Sequence, residues 1–224
     1  MERVGAWYFM NLAHRSDRRE ATERQLRAVG CRGMTRIEAV RDITGGVGCL
    51  QSHIRAIQAG VDDGHEFFVV IEDDMEWKNP EEADEALAKA IATGEGRELL
   101  YLLGTNPVQE FRAEELDSDF LQVKYAIDAG ASLFSRPAAL KMLEALNKAL
   151  EESRQLLRSK GLSNSCIFRL TPLAADRIRC KLFESLLTIT DKQGRQPMHQ
   201  PGGYSDLEFR VQDHVANRRK ASSK

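Results

Sequence analysis

Apolar positions change period several times along the chain, and the changes delimit its elements. Residues 6–12, Ala-Trp-Tyr-Phe-Met-Asn-Leu, are aromatic-rich and predict a first strand. Asp17 and Glu20 then stand at capping-box spacing. Thr22, Leu26 and Val29 recur at helical intervals and Gly30 stops them, so a helix is expected over 17–29. Thr35 to Val40 predicts a short second strand. Gly45, Gly46 and Gly48 open a helix whose apolar face is Val47, Leu50, Ile54, Ile57 and Val61, with Asp62-Asp63-Gly64 as its end. Next come five apolar residues, Phe67-Phe68-Val69-Val70-Ile71, aromatic or β-branched, running straight into Glu72-Asp73-Asp74. That pattern predicts a fully buried strand surfacing at its carboxyl end.

Asn79-Pro80-Glu81-Glu82 has the make-up of a helix start, with Asn as cap and Pro at the first helical position, and the helix is expected to run to about Ala92. Glu98 to Leu103 reads as another buried strand. Leu121 to Ile127 and Ala131 to Phe134 read as two more. Pro137 starts a helix through Leu140, Leu143, Leu146 and Leu150, continuing to about Arg158. Residues 191–205 are rich in Gly and Pro and read as an extended surface loop, and the basic stretch 218–224 as a disordered tail. Alternation of strand and helix through the first half predicts an α/β fold, one Rossmann-like domain with a mostly parallel central sheet flanked by helices. Right-handed crossovers then put the ends of strands 6–12, 67–72 and 98–103 on one rim, where ligands of open α/β sheets bind.

Composition narrows the partners. In 224 residues, 42% are apolar and 29% charged, with a formal net charge of -2. The balance gives no general attraction to nucleic acid, so basic residues must act locally. Four cysteines, Cys31, Cys49, Cys166 and Cys180, form no CxxC pair; they predict a reduced protein with small apolar side chains in its core. The apolar run at residues 7–10 is too short for a signal segment, and no run has the length of a membrane span, so a cytoplasmic location is expected.

Two charge clusters fall on the expected rim. Arg15, Arg18 and Arg19 crowd a helix N-terminus, which already carries partial positive charge. They predict a bound anion; the alternative is pairing with Asp17, Glu20 and Glu23 on a solvated face. Glu72, Asp73 and Asp74 repel one another and invite a compensating cation, the alternative being full solvation. An all-oxygen donor set suits a hard divalent cation, Mn²⁺ or Mg²⁺. If the strand continues, Glu72 and Asp74 point one way and Asp73 the other, which makes Glu72 and Asp74 the expected metal pair.

The blocks in order resemble glycosyltransferase family 25, the group of lipooligosaccharide and procollagen β-galactosyltransferases. Asn11-Leu12 with Arg15, Asp17, Arg18 and Arg19 is similar to its N-L-x-x-R-x-D-R-R opening. Gly48-Cys49-Leu50 with Ser52-His53 resembles G-C-x-x-S-H, and Val70-Ile71-Glu72-Asp73-Asp74 its acidic DxD-like block. Ala129-Gly130-Ala131 to Phe134-Ser135-Arg136 resembles a later small-residue strand and turn, and Tyr204-Ser205-Asp206 a late S-D element. The resemblance covers residues 6–136. It implies a GT-A fold over residues 1–217, with 6–107 as the nucleotide-sugar half and 108–217 as the acceptor half. It also implies a UDP-sugar donor, a divalent metal, and inverting transfer of a hexose, galactose or glucose, to a hydroxyl on a glycan or protein. On it, Asn11, Arg15 and Arg18 bind base, ribose or phosphates, and Asp74 is the best single metal ligand with Glu72 or Asp73 helping. Ser52 and His53 line the donor site, though His53 also fits a hydrogen-bonded core histidine. Inversion needs a base for the acceptor hydroxyl, Asp128 or its rival Asp206. A non-catalytic nucleotide-sugar-binding module on the same scaffold is the alternative. A phospho-receiver domain fits poorly, since strand 98–103 ends in Leu103-Gly104 with no acceptor aspartate.

Overall fold

The computed structural model describes residues 4–31, 33–42, 45–104, 112–125, 130–160, 185–191 and 197–199. Asp128, Asp206, the Tyr204-Ser205-Asp206 element and the expected tail lie outside the described residues, as does most of the expected loop 191–205. In chain order the elements are β1 (Ala6–Asn11), α1 (Ser16–Ala28), β2 (Met34–Glu38), α2 (Gly45–Asp62), β3 (Phe67–Glu72), β4 (Glu76–Trp77) and α3 (Ala83–Thr93). Then follow β5 (Leu99–Gly104), β6 (Arg112–Glu115), β7 (Phe120–Tyr125), β8 (Ala131–Ser135), α4 (Arg136–Lys160), β9 (Leu187–Asp191) and β10 (Met198–His199).

Among the described residues, eight strands form one sheet in the order β2-β1-β3-β8-β5-β9-β7-β6, and β4 pairs with β10. Six of the eight share a direction; β8 and β7 run against them. β1 and β3, whose ends were expected on one rim, lie side by side in parallel register with Met10 opposite Glu72. Between β3 and β5, however, stands β8, antiparallel to both. Its residues, Ala-Ser-Leu-Phe-Ser, are all buried, so a short continuous run carries no mark of its direction.

Alternation along each strand feeds two cores. Tyr8, Phe68, Val70, Leu100, Leu102 and Phe134 pack with α2 and α4 residues such as Leu50, Ile57, Met142 and Leu146. Trp7, Phe9, Val69, Ile71, Tyr101 and Leu133 pack on the other face with Leu26 of α1 and Leu87 and Ile91 of α3. A sheet covered by helices on both faces explains why β3 and β5 read as unbroken apolar runs.

Several local expectations are corrected. The helix α1 begins at Ser16 with Arg15 in the cap position and no side-chain cap, because the Asp17 carboxylate is taken by the Arg15 guanidinium. Asn79 likewise makes no cap bond to the backbone; Pro80–Glu82 forms a 3₁₀ turn, and the Asn79 amide donates to the Glu82 carboxylate instead. On α4, Leu140 is 50% exposed, and Ala138, Ala139, Met142 and Ala149 fill the buried face alongside Leu143, Leu146 and Leu150. Cys31 is buried as expected, but Cys49 is an exposed thiol.

Candidate functional site

The rim expected from the pattern forms where β1 and β3 end side by side. Asn11, the last residue of β1, is buried, and its amide is held at both ends. Nδ2 donates to Asp73 Oδ2 at 2.7 Å and to Arg15 O at 2.9 Å, while Oδ1 accepts from Arg36 Nε at 3.0 Å. Arg36 also donates to Asn11 O. With both Asn11 polar atoms committed, the amide orientation is fixed by the network rather than chosen.

Arg18, on the first turns of α1, closes the other side. Its Nη1 lies 3.0 Å from Asp73 Oδ1 and 3.0 Å from Asp74 Oδ2, one nitrogen serving two carboxylates. Asp73 and Asp74 side chains are 12% and 21% exposed and Arg18 38%, so the pairs sit at the edge of solvent. Thr22 Oγ1, one turn on, lies 3.0 Å from Arg18 O and 3.2 Å from Asp73 O and ties the helix to the acidic turn.

The basic turn therefore divides its labour. Arg15 clamps Asp17 through two bonds of 2.9 and 2.7 Å, and this holds the Asp17 carboxyl well below the usual carboxylate range. The same pairing raises Arg15, with Asp73 and Asp74 adding to the effect. Arg19 pairs with Glu23, which Arg27 also reaches; the two arginines keep the Glu23 carboxyl below its ordinary value. Of the two sequence expectations for this turn, local pairing holds for Arg15 and Arg19, while Arg18 reaches across to the acids.

The acids separate too. Strand geometry stops at Glu72, and residues 73 and 74 are a turn, so alternation no longer governs Asp74. Glu72 follows Phe68 and Val70 to the α2 side, where its Oε1 lies 3.5 Å from His53 Nε2 and 3.8 Å from Cys49 Sγ. Asp73 and Asp74 both turn toward α1. The expectation that Glu72 and Asp74 share a side is corrected accordingly. Gly130 O accepts from Glu72 N, and a side chain at Gly130 would strike Met75 Sδ, so the glycine lets the chain close over the acidic turn.

On α2, Ser52 is buried. Its Oγ donates to Gly48 O at 2.7 Å and accepts from Val40 N at 2.8 Å, which fastens the segment after β2 to the helix. A Cβ on Gly48 would lie 2.5 Å from Val40 O, so only glycine permits this approach. His53 is half-buried on the same helix, its Nδ1 3.1 Å from Cys49 O. His199 is exposed on β10, opposite Glu76 of β4.

Two contributors escaped the sequence reading. Arg36 orients Asn11, and the signal was a lone arginine amid the short strand β2. Cys49 was placed in the core, although its spacing of four from His53 puts both on one helical face. Among the described residues, no helix is long and apolar enough to cross a membrane.

No family model matches the sequence, and no curated protein matches it. Among solved structures, the chain is similar to a mannose-1-phosphate geranyltransferase from Thermus thermophilus at 15% identity and a TM-score of 0.48, covering 92% of this chain and 78% of that one. It is also similar to a glycosyltransferase involved in the glycosylation of the major capsid of PBCV-1, at 12% identity and a TM-score of 0.43, covering 85% of this chain and 95% of that one. Identities and scores this low tie the chain to no family, and its chemistry has to be read from its own residues.

Proposed function

We propose that this protein is a nucleotide-sugar-dependent glycosyltransferase of the GT-A type, akin to family 25, that moves a hexose from a UDP-sugar to a hydroxyl of a glycan or protein. The observation that carries the reading is the rim cluster in which Arg18 bridges Asp73 and Asp74 beside the fixed amide of Asn11. It is a cation-binding pair of carboxylates already holding a cation, next to a helix N-terminus suited to an anion. An all-oxygen donor set of this kind fits Mn²⁺ or Mg²⁺, with Asp74 and Asp73 as the holding residues. Bound there, the ion would supply Lewis-acid stabilisation of the leaving diphosphate.

The chain's own residues then have separable tasks. Arg18 exchanges its two carboxylates for the diphosphate oxygens, a charge-assisted contact at the helix start. Asn11, buried and locked by Arg36, holds Asp73 and the Arg15 backbone in place behind the donor site. Arg15, whose guanidinium keeps Asp17 ionised, adds positive potential without leaving its partner. Asp128 or Asp206 accepts the proton of the acceptor hydroxyl as it attacks the anomeric carbon with inversion. Residues 6–107 form the donor half and 108–217 the acceptor half of one catalytic unit.

Calorimetric titration of UDP and UDP-hexoses, with and without Mn²⁺, tests the reading. Metal-enhanced binding together with UDP release onto an acceptor is expected. No metal-enhanced binding of any nucleotide or nucleotide sugar would overturn it. Metal-enhanced binding with neither transfer nor hydrolysis would assign a binding module on the same scaffold.

A further inference from the structure

The other side of the β3 terminus carries a second cluster whose chemistry differs from that of the rim acids. Cys49 and His53 stand four residues apart on α2, and Glu72 reaches them from the end of β3. One ligand atom from each lies within 4.8 Å of the other two. Cys49 Sγ is 3.6 Å from His53 Nδ1 and 3.8 Å from Glu72 Oε1, and Glu72 Oε1 is 3.5 Å from His53 Nε2. Ligand atoms about 2.0–2.3 Å from a tetrahedral Zn²⁺ are separated from one another by roughly 3.3–3.8 Å. The two separations from Glu72 Oε1 are already of that size.

We propose that Cys49, His53 and Glu72 form a transition-metal site of the Zn²⁺ class, separate from the carboxylate pair at Asp73 and Asp74. The donor types select the metal. A thiolate and an imidazole favour Zn²⁺ over the hard cations that all-oxygen sets prefer. The imidazole is also oriented for the task. A carbonyl oxygen only accepts, so the 3.1 Å contact to Cys49 O puts a proton on Nδ1, and in the neutral ring Nε2, the nitrogen facing Glu72, then carries the lone pair a metal needs. A histidine anchored through one nitrogen to a backbone carbonyl is the usual arrangement of a metal ligand. The same contact argues against a Cys–His nucleophile, because Nδ1, the nitrogen beside Sγ, is engaged as a donor. The exposed Cys49 gives a metal access from solvent and leaves a fourth position open to water or substrate. Alternation along β3 makes the two sites distinct: Glu72 points to the α2 side, and the turn at residues 73–74 carries the other two acids toward α1.

The test uses the full chain, freed of metal with a chelator and titrated with Co²⁺ as a spectroscopic stand-in for Zn²⁺. A thiolate-to-cobalt charge-transfer band saturating at a single equivalent is expected, bleached on adding Zn²⁺. Zn²⁺ should also protect Cys49 from alkylation, read peptide by peptide by mass spectrometry. Cys49→Ser should abolish the band. His53→Ala and Glu72→Gln should weaken Co²⁺ binding at least as much as the roughly 10–100-fold typical of losing a supporting residue. Asp74→Asn should leave the band intact while removing Mn²⁺-enhanced nucleotide binding, so the two sites can fail independently. A missing band in the wild-type chain, a band that persists in Cys49→Ser, or unchanged Cys49 alkylation under saturating Zn²⁺ would overturn the proposal, and the wild-type readouts need no variant to fold.

Discussion

Removing the Arg18 guanidinium should move two affinities in opposite directions. In the ligand-free protein this group sits 3.0 Å from both Asp73 and Asp74, so it competes with any metal for those carboxylates. In the proposed complex it contacts the donor diphosphate. Arg18 is 38% exposed, which puts its pairs in the solvent-screened class worth about 0.2–1 kcal/mol each. The acids are only 12% and 21% exposed, which favours the upper part of that range. Two pairs together amount to about 1–2 kcal/mol, a factor of roughly 5–30 in an equilibrium constant. Arg18→Gln keeps most of the side-chain volume and should therefore bind Mn²⁺ alone about 5–30-fold more tightly than wild type. Its affinity for UDP at saturating Mn²⁺ should fall by a similar factor. Manganese titration followed by electron paramagnetic resonance gives the first constant, and calorimetry with UDP the second. Arg19→Gln is the control, since Arg19 pairs with Glu23 and should leave both constants alone. Equal Mn²⁺ affinity in wild type and Arg18→Gln would refute the competition argument, and equal UDP affinity would remove Arg18 from the donor site.

Three further outcomes are expected. Gly48→Ala gains about 1 kcal/mol of helix propensity but brings a Cβ to 2.5 Å from Val40 O, an overpacking that costs about 1–3 kcal/mol, so urea unfolding should show a net loss of up to about 2 kcal/mol; a more stable variant would contradict the close approach. Leu146→Ala, in the core between α2 and α4, should cost about 2–5 kcal/mol, whereas Leu140→Gln on the exposed face of the same helix should stay within about 0.5 kcal/mol, both by denaturant titration. Burial pushes the Cys31 thiol from 9.0 up to about 11, so the folded state favours its neutral form. That contribution is complete below pH 9 and declines as pH rises from 9 to 11, by up to about 1.4 kcal/mol per pH unit. Cys31→Ala should therefore show a shallower loss of stability than wild type across that window, and parallel curves would refute the shift.

The parts of the site that were legible in the sequence depended on a strand running into charge. β1 and β3 are apolar until Asn11 and Glu72, and parallel strands joined through right-handed crossovers end on the same side, so a shared rim for the basic turn and the three acids followed from pattern alone, but the pairing of Asn11 and Arg18 with Asp73 did not. What was not legible depended on contacts distant in sequence. The direction of β8 is set by its partners on either side, and its five buried residues hold no alternation from which to infer it. The fate of each acid depended on where the strand stops: the turn at residues 73 and 74 sends Asp74 to α1 instead of α2. Asp17 does not cap the helix because Arg15, two residues away, offers the carboxylate a stronger, charged partner than the helix amides. Cys49 was assigned to the core by residue type, although helical spacing from His53 already placed it beside a polar neighbour.

The position of β8 also constrains how the chain reaches its folded state. β3 and β5 never touch as neighbours; each pairs with β8, which is made only after residues 112–125. Until residues 131–135 leave the ribosome, both strands present unpaired edges of Phe, Val, Ile and Leu, the composition most prone to pairing with another chain. Sheet closure therefore waits on contacts between segments about 60 residues apart, a topology that folds slowly because loop entropy is spent before the strands lock. A fragment ending near residue 104 would hold the entire Arg18–Asp73–Asp74 cluster in its sequence and still lack the strand that holds β3 in place, so a minimal nucleotide-binding half cut at that point should aggregate rather than fold.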